Sequence, residues 1–105
     1  MIQAYKAELF KALAHPVRIR IIELLREGER TVSELQTELG TEGSTVSQQL
    51  GVLRARALVG GRKEGTSVHY SVVDPQVFAL LDTARLMFQA HLATLQELAV
   101  DDAEA

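Results

Sequence analysis

The hydrophobic rhythm of this chain leaves helical spacing only once. In residues 67–72, Val68, Tyr70 and Val72 alternate with Ser67, His69 and Ser71, the two-residue period of a strand. On either side apolar residues recur at spacings of three and four, the period of an amphipathic helix. One short β episode in an otherwise helical chain sets the fold class: mainly α with a small β-hairpin.

Local signals divide the helical part. Tyr5, Leu9, Phe10 and Leu13 mark a helix over 2–13, and His15-Pro16 breaks it. Pro16 suits the first turn of a second helix, expected over 16–27, whose widely spread apolar positions are those of a central core helix. Gly28 ends it. Thr31-Val32-Ser33-Glu34 reads as a capping box opening a short helix to Leu39, which Gly40 stops. A turn at residues 41–43 leads to a helix from about Ser44 to Ala57, with Val46, Leu50 and Leu53 as its inner stripe. Leu58-Val59-Gly60 and residues 67–72 form the hairpin, with Arg62-Lys63-Glu64-Gly65-Thr66 between them. Asp74-Pro75 introduces a last helix to about Ala99. Its long apolar stripe is Val77, Leu80, Leu81, Ala84, Phe88, Leu92, Leu95 and Leu98. The terminal residues 101–105 are expected to fray. The order ααααββα, with a turn between a short helix and one with a polar start, predicts a winged helix-turn-helix, the basic hairpin being the wing.

The 105 residues fit one domain, 1–105. No apolar run is long enough to span a membrane, and the N-terminus lacks a signal-peptide layout, so the cytoplasm is the expected location. The absence of cysteine excludes disulfides, thiolate metal sites and thiol switches. The net charge of −3 conceals an asymmetry. Residues 1–70 hold ten Lys/Arg against eight Asp/Glu, a net of +2; residues 71–105 hold one against six, a net of −5. Between 44 and 70, Arg54, Arg56, Arg62 and Lys63 face only Glu64. Nucleic-acid binding needs a local positive face rather than a basic whole.

The segment GSTVSQQLGVLRARAL carries the chemistry. With Val46, Leu50 and Leu53 turned inward, Ser44, Thr45, Ser47, Gln48 and Gln49 are expected at the exposed N-terminal half. A helix in the major groove presents such residues to base edges. Gln pairs bidentately with adenine, and Ser and Thr bond to bases or phosphates. A polar helix start is ordinarily only a solvated cap; the preceding short helix, the turn and the wing favour double-stranded DNA. Arg62 and Lys63, expected at the hairpin tip with Thr66, would flank the bases. Arg54 and Arg56 have two readings, phosphate contact or pairing with Glu on neighbouring helices. The last helix has a stripe too large for so small a core, so a homodimer is expected, with Tyr5, Leu9 and Phe10 of the first helix adding to the interface. Two-fold symmetry would set two reading helices ~34 Å apart on an inverted repeat.

The chain resembles the ArsR/SmtB family of bacterial winged-helix repressors over about residues 7–92. LFKALAHPVRIRIIELL is similar to the family's helix pair, with the junction at His15, Pro16, Arg18 and Ile22. VSQQLGVLRARALV resembles its recognition helix, usually written VSxHLxxLRxAGLV, with Gln49 where His is usual and Ala57 where Gly is usual. RKEGTSVHYSV resembles the wing. The resemblance implies a homodimeric DNA-binding regulator, often released by an inducer, commonly a metal ion. The family's metal motifs are not intact. Thr31 and Ser33 replace the thiolates of one site. Of the other, by ungapped alignment, only Asp74 survives, with Gln76, Met87 and Ala90 in the remaining places. His15 reads as a capping or packing residue and His69 as part of the wing strand. His91 and Glu97 do not share a helix face. No metal ligand and no cofactor is assigned.

The expectation is therefore a DNA-binding regulator, a repressor without a recognisable metal site. The alternative keeps the fold but requires a regulatory protein partner, or a non-standard metal effector bound by imidazole and carboxylate. An enzyme is not expected: no catalytic Cys, HExxH, P-loop or dinucleotide motif is present.

Overall fold

The computed structural model describes the backbone of residues 1–104 and the side chains of residues 1–100. The elements are α1 (Ile2–Leu13), α2 (Pro16–Leu25), α3 (Val32–Leu39), α4 (Gly43–Ala55), β1 (Val59–Glu64), β2 (Ser67–Val72) and α5 (Gln76–Glu104). They fall into two compact units, Met1–Pro75 and the helix from Gln76 onwards.

In the first unit the helix ends follow local chemistry. His15 is the N-cap of α2, its Nδ1 accepting from the Val17 N–H at 3.1 Å, with Pro16 as the first helical residue. Thr31 and Glu34 form the reciprocal capping box of α3: Thr31 Oγ1 accepts from the Glu34 N–H at 3.2 Å, and Glu34 Oε1 from the Thr31 N–H at 3.0 Å. The hydrogen bonds hold the Glu34 carboxyl below its usual range, the backbone bond being the larger cause. Gly40 closes α3 in the left-handed conformation, at φ 66°. The helix α2 ends at Leu25 rather than Glu27, because its last turn tightens to three-residue bonds such as Gly28 N–H to Leu25 C=O. The core of this unit is Ala12, Leu13, Ile21, Ile22, Leu25, Leu35, Val46, Leu50, Leu53 and Val59. α2 contributes three of these, the central position its broad apolar spread predicts.

The hairpin pairs antiparallel from Val59↔Val72 to Glu64↔Ser67, so the connecting turn is Gly65-Thr66 alone. Gly65 has φ 62° and Thr66 does not have positive φ, the pattern of the II′ turn that matches strand twist. This corrects the expected tip: Arg62 and Lys63 lie within β1, on opposite faces. A third strand is reduced to one residue, with Arg30 and Tyr70 exchanging both backbone bonds, at 3.1 and 2.8 Å.

The second unit, α5, begins after Asp74-Pro75 and runs beyond the expected Ala99 to Glu104. The end expected to fray thus falls at the edge of the described residues, with Ala105 outside them. Leu86, Met87, Phe88, Leu92, Leu95, Leu98 and Val100 are exposed on this helix. Among the described residues no helix is long and apolar enough to cross a membrane.

Candidate nucleic-acid interface

Helix α4 separates its residues by face. Val46, Leu50 and Leu53 are fully buried, while Ser44, Ser47 and Gln48 are exposed. Ser44, Ser47 and Gln48 are three and four residues apart, so they share one stripe. Thr45 is half-buried at its edge. Gly51 continues the stripe one turn further on, and a Cβ there would meet nothing within 4 Å. Reading the sequence for polar donors missed this position; its signal is a glycine inside a helix, where the fold itself has no use for one.

Gln49 does not join the stripe. It is 8% exposed, and its Oε1 accepts a hydrogen bond from Arg18 Nε at 2.8 Å. The reason is periodicity: residue 49 is three after Val46 and four before Leu53, which puts it on the inner face. Gln49 is therefore removed from the residues able to meet a base edge.

The cations divide into paired and open ones. Arg62 donates to Glu29 Oε2 at 2.8 Å and to Glu64 Oε2 at 2.9 Å. His69, opposite Arg62 in the register, lies 3.7 Å from Glu64 and 4.0 Å from Glu29. The Arg62 hydrogen bond is the main reason the Glu29 carboxyl is held below its usual range, and the two carboxylates in turn push the Arg62 guanidinium up. Arg56 pairs with Glu8 of α1, the helix-pairing alternative for that residue. Arg54 is exposed, with its guanidinium 5.9 Å from the Tyr70 ring centroid, within cation–π range. Lys63 is exposed on β1, with no ion-pair partner among the described residues, and Thr66 is exposed in the turn. The described residues contain no cluster of three or more His, Asp or Glu side chains able to hold a metal ion.

Comparison with known proteins gives the same picture. A helix-turn-helix domain family matches residues 13–60. The HTH-type transcriptional regulator Rv0081 of Mycobacterium tuberculosis is 52% identical over 81 residues, covering 76% of this chain and 71% of that protein. Its crystal structure superposes with a TM-score of 0.79 at 46% identity, over 88% of this chain and 93% of that one. The biofilm growth-associated repressor of Xylella fastidiosa is 37% identical over 84 residues, covering 80% of this chain and 74% of the repressor. A solution structure from Mycobacterium bovis, described as a homodimeric winged helix-turn-helix DNA-binding domain and a possible ArsR-family regulator, has a TM-score of 0.77 at 33% identity, over 87% of this chain and 84% of that one. These relatives are regulators rather than enzymes, and their likeness extends through helices, turn and wing alike: the chain belongs to the ArsR family of winged helix-turn-helix transcriptional regulators.

Proposed function

We propose that this regulator is a homodimer that binds double-stranded DNA sequence-specifically and represses transcription from an inverted repeat. The observation carrying the reading is the division of α4, with Ser44, Ser47 and Gln48 in one solvent-facing stripe opposite a fully buried one. In this account Ser47 and Gln48 read base edges, Gln48 as the bidentate partner of adenine. Ser44 and Thr45, at the helix start with its free N–H groups, hold a phosphate. Arg54, Lys63 and Thr66 contact the flanking backbone, and Arg62 joins them only by leaving Glu29 and Glu64. Residues 1–105 act as one DNA-binding domain, with α1 and α5 serving dimerisation. The exposed Phe88, Leu92 and Leu95 support that role for α5, as does the homodimer described for the M. bovis relative.

In vitro selection of duplexes bound by the purified protein tests the reading. The expected product is an inverted repeat with half-sites about one turn apart, ~34 Å. An unselected, sequence-indifferent pool would refute it.

A further inference from the structure

Arg18 stands in the first turn of α2, where a cation opposes the positive end of the helix dipole. Its half-buried side chain reaches two other helices. Nη1 donates to the Ala12 carbonyl at 3.1 Å and the Lys11 carbonyl at 3.4 Å, at the C-terminal end of α1, where the dipole is negative. Nε donates to Gln49 Oε1 on α4 at 2.8 Å. The end of α1, the start of α2 and the middle of α4 thus meet on one planar guanidinium, whose rigid fork suits such a junction.

Gln49 is the single polar residue among the described residues that is buried. Its neighbours Val46, Leu50 and Leu53 hold α4 to the core through apolar contact, which is non-directional and fixes rotation about the helix axis weakly. A charge-assisted hydrogen bond is directional. Any rotation of α4 that breaks it swings the adjacent Ser47 and Gln48 through the same angle. Bidentate pairing with a base edge depends on that geometry.

We propose that the part-buried Arg18–Gln49 hydrogen bond is a specificity-determining positioning contact, fixing the rotation of α4 from its inner face. The proposal rests on the reading of α4 as the base-reading helix. Arg18 and Gln49 act through Ser47 and Gln48 rather than on DNA.

The test compares wild type, Arg18→Met, Gln49→Met and the double variant on two measurements. One is the ratio of affinities for the selected duplex over a scrambled duplex. The other is hydrogen exchange of the 47–50 backbone amides in the free protein. Each Met variant is expected to lose about tenfold in the ratio, the double variant no more than the worse single one. Affinity for the scrambled duplex stays within about twofold. The 47–50 amides exchange about tenfold faster. Gln49→Glu, which keeps an acceptor, retains wild-type behaviour in both measurements. Arg18→Lys keeps the charge and the stem but not the fork; it covers Met variants that fail to fold and must show the same loss.

Folded variants with an unchanged ratio, or losses that multiply in the double variant, overturn the proposal while leaving the reading of α4 intact. A wild-type protein that treats both duplexes alike, with exchange still faster in the variants, refutes the reading of α4 instead, and the specificity role with it.

Discussion

Ala57 adopts φ 56°, the left-handed conformation, just past the end of α4. A Cβ in that region costs roughly 1–2 kcal/mol, part of which glycine gives back through its freer unfolded chain. Ala57→Gly is therefore expected to raise stability by about 1 kcal/mol in urea denaturation and to leave DNA affinity unchanged. Gly51 is the converse case. A helical glycine costs roughly 0.5–1 kcal/mol relative to alanine, and a Cβ at 51 would meet nothing in the fold. Gly51→Ala should stabilise the free protein by about that amount. If the stripe of Ser44, Ser47 and Gln48 docks closely on DNA, the same change lowers affinity for the selected duplex; an unaltered affinity would mean that the groove does not approach this turn. Sequence spacing makes Val46, Leu50 and Leu53 legible as the buried stripe. It makes Gln49 legible too, by its distances from Val46 and Leu53, but a glutamine in an inward position is readily taken for a solvent-facing one. What spacing does not contain is its partner, Arg18, which lies 31 residues away in the chain.

Among the elements, the wing departs furthest from its sequence reading. The charged stretch from Arg62 to Thr66 has the composition of a turn, yet Gly65 alone supplies the positive φ, and a two-residue loop extends β1 through Glu64. Arg62 consequently pairs with Glu29, which precedes the one-residue strand at Arg30; a single-residue bridge has no periodicity to read. The pairing changes the electrostatics expected of DNA binding. Were Arg54, Arg56, Arg62 and Lys63 all on phosphate in both protomers, log K would fall with log salt at a slope of about −7. With Arg56 on Glu8 and Arg62 on Glu29 and Glu64, only Arg54 and Lys63 remain, and the slope is about −4. Replacing both carboxylates, Glu29→Gln with Glu64→Gln, should free Arg62, raise low-salt affinity and steepen the slope by about 2, one contact per protomer. An unchanged slope would show that Arg62 stays off the phosphates. The sign with pH follows from Glu29. Its carboxyl is held low by Arg62, so this pair contributes fully above the ordinary carboxylate value of 4.5. The contribution is lost as pH falls through the lowered value. Binding measured near neutrality therefore sees the paired state.

At the scale of the whole molecule, the negative net charge and a DNA-binding role are compatible because charge is segregated along the chain. The acidic excess follows residue 70, and the open cations Arg54 and Lys63 precede it. The order of helices, hairpin and helix is legible from the one departure from helical period, because a strand buries alternate residues while the helices on either side bury a stripe at spacings of three and four. The dimer is an inference from what one chain leaves uncovered. Phe88, Leu92 and Leu95 expose 62%, 42% and 49% of their surface, at spacings of four and three along α5. Leu92→Asp with Leu95→Asp should therefore give a monomer in sedimentation with the helical content retained. Operator affinity should fall by about 10²-fold or more, as two linked half-site contacts become independent. A dimer that persists would place the interface elsewhere.

The most direct test of base reading by α4 is fluorescence anisotropy of the selected duplex against a scrambled one. Wild type is compared with the Ser44→Ala, Ser47→Ala, Gln48→Ala triple variant over the same series of salt concentrations. The account predicts that the affinity ratio falls at least about 30-fold, since each good bidentate base contact is worth roughly 1–3 kcal/mol and is made in both protomers. It predicts that scrambled-duplex affinity falls only by the one phosphate contact that Ser44 gives up, and that the salt slope holds, because the charged contacts of Arg54 and Lys63 with phosphate are untouched. A triple variant that still discriminates like wild type would contradict it.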